Sequence, residues 1–113
     1  MEAAARESSP VMRAGPLEVR PGEALVLADG RALTLSVREF RLLCELAGRP
    51  DRVVSREELF ELVWSGPLRA GDRSVDVYVH KLRVKLERAI PEWRFIHTHV
   101  GFGYRFSADR RAQ

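Results

Sequence analysis

The stretch from Asp72 to Ala89, DRSVDVYVHKLRVKLERA, sets the terms for the whole chain. At helical spacing, Val75, Val79, Leu82 and Leu86 fall at intervals of four, three and four, which makes one apolar stripe. A helix marked in this way has to bury that stripe against other elements. Its opposite side carries Arg73, Val77, His80, Lys81, Val84 and Arg88, a mixture of basic and small apolar residues with no acid. A solvated face normally interleaves both signs of charge, whereas a face that approaches a polyanion does not.

The charge distribution along the chain points the same way. Residues 1–72 hold ten Lys+Arg and twelve Asp+Glu, a balance of −2, and residues 73–113 hold nine and four, a balance of +5, which together give the net +3. Such asymmetry points to nucleic acid or another anionic surface as partner. At 113 residues the chain is expected to form one domain with a core of its own. Its single cysteine, Cys44, excludes an internal disulfide and a cysteine-based zinc cluster. No apolar run reaches membrane-spanning length and no signal-peptide core opens the chain, so no membrane partner and a cytoplasmic location are expected.

Taken in order, residues 1–16 lack periodicity and end in Gly15-Pro16, which predicts a flexible leader. LEVR, ALVLA and RALTL between Leu17 and Leu35 read as an antiparallel meander, with Asp29-Gly30 as a type I′ hairpin signal. Ser36-x-x-Glu39 is a capping box that opens a helix, with Val37, Phe40, Leu43, Cys44 and Ala47 as its expected buried face. The pattern repeats at Ser55-x-x-Glu58, followed by Leu59, Phe60 and Val63 as core positions. Trp64 to Gly71 is a loop about twice the length of a tight helix-turn-helix connection, so it projects and offers a surface of its own. Trp64 itself suits core and surface equally. After Pro91, the runs Arg94–Thr98 and Tyr104–Ser107 form a hairpin around H-V-G-F-G, and residues 108–113 are expected to be a disordered tail.

Enzymatic readings find little support. No nucleophile has a plausible base nearby, and the Gly101-x-Gly103 pair lacks the strand-to-helix context of a dinucleotide loop. His97 and His99 could share one strand face, but a third metal ligand is missing, so neither metal nor cofactor is expected.

The order sheet, helix, helix, loop, helix, hairpin, with VREFRLLCELA, VVSREELFELVW, RSVDVYVHKLRVKL and GFGYRF in sequence, resembles the winged-helix DNA-binding domain of OmpR/PhoB-type response regulators from about Leu17 to Phe106. The resemblance implies an α+β winged helix-turn-helix: an N-terminal antiparallel β-sheet, three helices and a C-terminal β-hairpin wing over residues 17–107. It implies that helix 73–89 enters the major groove of double-stranded DNA and that hairpin 94–107 lies at the minor groove. It also implies head-to-tail dimers on direct repeats, a monomer in the free state, and a leader that is the linker end of a larger two-component regulator. The loop Ser65, Gly66, Pro67, Leu68 and Arg69 corresponds to a segment that touches RNA polymerase in activators of the family. A protein-interaction winged helix without specific DNA readout is the rival reading.

Within that frame Val77, His80 and Lys81 face base edges, and Lys81 could donate to guanine while Val77 packs on a thymine methyl. Arg73, Ser74, Tyr78 and Arg83 flank the helix and suit phosphates, with an ion pair to a neighbouring helix as the competing role for Arg83. Trp64, Thr98 and Tyr104 match positions that contact the DNA backbone, with packing against the wing as the competing role for Tyr104. The wing departs from the family at Thr98-His99-Val100-Gly101, where many relatives carry arginine in place of Val100. Readout of the minor groove is then expected to weaken, or to pass to His99 or Arg105.

Overall fold

The computed structural model describes residues 10–111, and its first elements follow from two-residue alternation. Strands β1 (Met12–Ala14), β2 (Leu17–Arg20), β3 (Leu25–Ala28) and β4 (Arg31–Ala32) form an antiparallel sheet in that order. Leu17 pairs with Ala28 and Val19 with Val26, and all four side chains are buried on the inner face. Asp29 and Gly30 both have positive φ, 54° and 81°, as a type I′ turn requires. Two expectations are corrected. Met12–Ala14, assigned to the flexible leader, pair with β2, while the rest of that leader, residues 1–9, lies outside the described residues. RALTL contributes only Arg31–Ala32 to the ladder, because the chain turns at once towards the cap at Ser36.

Helix α1 (Val37–Ala47) opens with a complete capping box: Glu39 N donates to Ser36 Oγ at 3.1 Å, and Ser36 N donates to the Glu39 carboxylate at 2.8 Å. Its buried stripe is Leu42, Leu43, Leu46 and Ala47, two pairs four residues apart. That rotation leaves Val37 77% exposed and Phe40 and Cys44 half-buried, which corrects the expected face. In α2 (Arg56–Val63) the Ser55 hydroxyl caps Glu58 N at 3.0 Å, but Glu58 turns away to Arg52 and the box stays half-formed. Leu59 and Val63 are buried; Phe60 is only half-buried.

Helix α3 (Ser74–Ala89) buries the whole predicted stripe, Val75, Val79, Leu82 and Leu86, against α1, α2 and the following strand. That strand is β6 (Trp93–His99), which returns as β7 (Gly103–Arg110). The short β5 (Val53–Val54) adds to the other edge of β7, giving the order β5-β7-β6. Strand β7 therefore continues into residues 108–110, which were expected to be a disordered tail; Trp93 pairs with Arg110 and Arg94 with Asp109. Residues 112–113 lie outside the described residues.

Gly103 is the tightest point of the wing. Its φ is +145°, and a Cβ there would stand 2.0 Å from the Val54 carbonyl oxygen. Gly101, at φ +83°, has open space around it. Gly103→Ala should therefore push β5 off β7 and lower stability by roughly 2–5 kcal/mol. Gly101→Ala should lower it by only about 1 kcal/mol. Urea denaturation of the two variants measures the contrast, and equal losses would contradict the packing described at Val54.

Candidate nucleic-acid interface

Docking the apolar stripe of α3 turns its other side to solvent. Val77 is 46% exposed, and His80, Lys81 and Arg73 are exposed with it. An exposed valine amid basic residues gains nothing from the protein's own core. The Lys81 ammonium lies 4.7 Å from the Tyr78 ring centre, and half-buried Tyr78 meets Trp64 edge-on at 5.5 Å. Trp64 is itself stacked flat on Phe60 at 5.4 Å, with the Arg38 guanidinium 4.8 Å above the ring. Trp64 and Tyr78 thus form one aromatic shelf joining α2 to α3, and that shelf carries Lys81.

The acid of the first turn is turned inward. Asp76 accepts from Arg56 of α2 at 2.7 Å, from Arg73 at 2.8 Å and from the Tyr104 hydroxyl of β7. Burial alone would raise the Asp76 carboxyl, but the Tyr104 hydroxyl, then Arg56 and Arg73, more than offset it and hold it below the usual carboxylate range. Tyr104 is only 4% exposed, with the Arg56 and Arg83 guanidinia on its ring at 5.8 and 5.6 Å. Tyr104 has the packing expected of its structural alternative: its hydroxyl donates to Asp76 and its ring is enclosed. Ser74 is also committed within the protein, since its amide and hydroxyl both donate to Asp72, at 2.8 and 2.6 Å.

Arg83 pins the hairpin to the helix. Its guanidinium donates to the Ile96 carbonyl at 2.9 and 3.1 Å and to Thr98 Oγ1 at 2.6 Å. Arg83 is engaged within the protein, but through a strand carbonyl and a hydroxyl; among the described residues the ion pair with an acid of a neighbouring helix is not formed. Burial pushes its guanidinium below the ordinary arginine value. On the wing, Arg105 Nε donates to His99 Nε2 at 3.0 Å. An arginine N–H can only donate, so that nitrogen of His99 is the acceptor. His99 and Arg105, the two expected replacements for a wing arginine, are thus engaged with each other. Beyond them the turn presents Val100, 88% exposed, and Phe102, 75% exposed. Two residues back along β6, His97 has its Nε2 3.1 Å from the Ser107 carbonyl and 2.9 Å from Asp109.

The loop between α2 and α3 leaves Ser65, Gly66, Pro67 and Arg69 exposed and Leu68 half-buried, with positive φ at Ser65 and Gly66. Three participants escaped the sequence reading. Asp76 and Arg56 were passed over because their link crosses helices. Lys85 of α3 donates to buried Glu39 of α1 at 2.7 Å, a link that spacing along the chain does not show. Burial, with the Glu45 charge behind it, pushes the Cys44 thiol up to about 11, which leaves it a poor nucleophile.

Three packed helices with a hairpin fastened along the third define a winged helix. The model of the family described as "Transcriptional regulatory protein, C terminal" matches residues 30–106, and the chain belongs to that family. It is 39% identical over 99 residues to the alkaline phosphatase synthesis transcriptional regulatory protein SphR of Synechococcus elongatus, covering 88% of this chain and 38% of SphR. The chain spans about two-fifths of the length of the curated relatives it matches. Among solved structures, the DNA-binding domain of CpxR from E. coli superposes with a TM-score of 0.81 at 34% identity, over 89% of this chain and all of that one. The Klebsiella pneumoniae RstA DNA-binding domain in complex with the RstA box gives 0.78 at 31% identity, over 86% and 96%.

A carboxyl held low by its partners stabilises the fold when ionised. That contribution is complete above the unfolded-state value near pH 4 and fades as pH falls through the lower folded-state value. Asp76→Asn should therefore lower stability by roughly 2 kcal/mol at pH 7. The gap to wild type should narrow in urea titrations run from pH 4 down to pH 2. A gap that stayed constant with pH would contradict the ionic role of Asp76.

Proposed function

We propose that this domain binds double-stranded promoter DNA in a sequence-specific manner, as the effector domain of a transcriptional regulator. Helix α3 enters the major groove and the β6–β7 hairpin lies at the adjacent minor groove. The observation that carries this reading is the outward face of the first half of α3, with Val77, His80 and Lys81 exposed while Asp76 is turned into the protein; the exposed acid of the helix, Glu87, lies in its last turn. The DNA-complexed relative supports it. Lys81, Val77 and His80 read base edges; Arg73 and Tyr78 serve phosphates, joined by the edge of Trp64 and by Thr98, whose oxygen accepts from Arg83 and whose O–H is left to donate.

One domain offers few contacts, so two copies on adjacent direct repeats, arranged head to tail and monomeric when free, supply useful affinity. The exposed loop Ser65–Arg69 is suited to a contact with RNA polymerase once DNA is bound, which accounts for its length without a purely protein-binding role. Binding to random duplex DNA at low salt, read by fluorescence anisotropy, separates DNA recognition from that protein-only alternative. Selection from a random library then yields the operator and its repeat spacing.

Base reading and phosphate anchoring are expected to separate by mutation. Lys81→Ala should erase about 1–3 kcal/mol of discrimination at one base pair and leave binding to random DNA nearly intact. Arg73→Ala should weaken all sequences alike and reduce the salt slope by about one. Titrations of both variants on selected and random duplexes at several salt concentrations test this, and indistinguishable behaviour would refute the division.

A further inference from the structure

The wing tip of this chain is apolar. Val100 and Phe102 flank Gly101 in the turn, where Phe102 N donates to the His99 carbonyl at 2.8 Å, and their side chains are 88% and 75% exposed. The strands just below the tip are bonded to α3, since Arg83 donates to Ile96 and Thr98 while Tyr104 reaches Asp76. A ligand that extends from α3 along the hairpin therefore reaches these two side chains. The basic side chain nearest the tip, Arg105, is engaged with His99 and lies 3.7 Å from Asp51.

We infer that Phe102, backed by Val100, enters the minor groove beside the α3 site as an apolar wedge, so that the wing selects a deformable base step. The inference rests on the DNA-binding reading above. A neutral tip draws nothing from the enhanced negative potential of a narrow A-tract groove, which rewards arginine. Apolar side chains act in the minor groove by another route: they press between adjacent base pairs and partly unstack them, most easily at pyrimidine–purine steps such as TA and CA. A second protein is the weaker occupant. A phenylalanine covers only about 150–250 Å2, whereas a stable protein interface needs roughly 800 Å2 from each partner. Continuity with the α3 face supplies the missing area when the occupant is DNA.

The test uses the intact chain and fluorescein-labelled duplexes carrying the selected site. A TA step or an A-tract is placed in turn at each flanking position. Wild type should prefer one TA placement over the A-tract by about three- to thirty-fold. Phe102→Ala should abolish that preference and leave the salt slope unchanged, because no charge is lost. Phe102→Arg should transfer the preference to the A-tract and raise the slope by about one. An unstacking signal from 2-aminopurine at the preferred step should vanish with Phe102→Ala. Both variants alter an exposed side chain, and unchanged thermal unfolding would show that they fold. The wedge is overturned if Phe102→Ala binds both duplexes as wild type does. It is equally overturned if wild type self-associates in sedimentation without DNA and Phe102→Ala does not. If wild type fails on every duplex, DNA binding itself falls; if it binds but ignores the flanks, only the wedge falls.

Discussion

One carboxylate orders this molecule. Asp76 sits in the first turn of α3, yet its partners come from α2, from the residue that opens α3 and from β7. A carboxylate taken from water is unfavourable unless its lone pairs are filled, and here two guanidinium groups and a phenol fill them. Net stabilisation from such a buried cluster is modest, because desolvation cancels much of the attraction. Its larger effect is geometric. Asp76 ties α3 to α2 through Arg56 and to β7 through Tyr104, so the bearing of the helix is held without a duplex present. Preorganisation of that kind reduces the ordering that binding would otherwise require.

The same bonds redistribute charge. The last third of the chain carries a strong positive excess, but several of its cations face inward or sideways. Arg83 is committed to a strand carbonyl, Arg105 to His99, and Lys85 to Glu39. Lys81 remains exposed on α3, carried on the shelf made by Tyr78 and Trp64. Positive charge thus builds the scaffold as well as the binding field, and net charge alone overstates what a polyanion would meet.

Local signals were legible in the sequence, and cross-chain ones were not. The four-three-four stripe of α3 is buried as read, Asp29-Gly30 makes its turn, and Ser36 caps its helix, because each depends on residues a few positions apart. Strand ends were misread at both extremities: Met12–Ala14 and residues 108–110 are strands because a partner strand exists, not because of strong propensity of their own. Tyr104 and Arg83 matched positions expected to serve DNA, yet their hydrogen bonds run to Asp76 and Ile96, which spacing along the chain could not reveal. Val37 looked like core by type and was turned out by a slight rotation of the helix.

The pairing of β5 with β7 has a consequence for how the molecule comes into being. Val53 and Val54 meet Arg105 and Tyr104, about fifty residues further along. Closing so long a segment carries an entropic penalty that local helices do not face. During synthesis the three helices can assemble while β5 waits for a strand not yet made. The wing and the Asp76–Tyr104 bond are then completed together, late, by the last residues of the fold. A nascent or truncated chain would hold its helices without the hairpin that fixes their bearing, so competence should arise abruptly rather than by degrees.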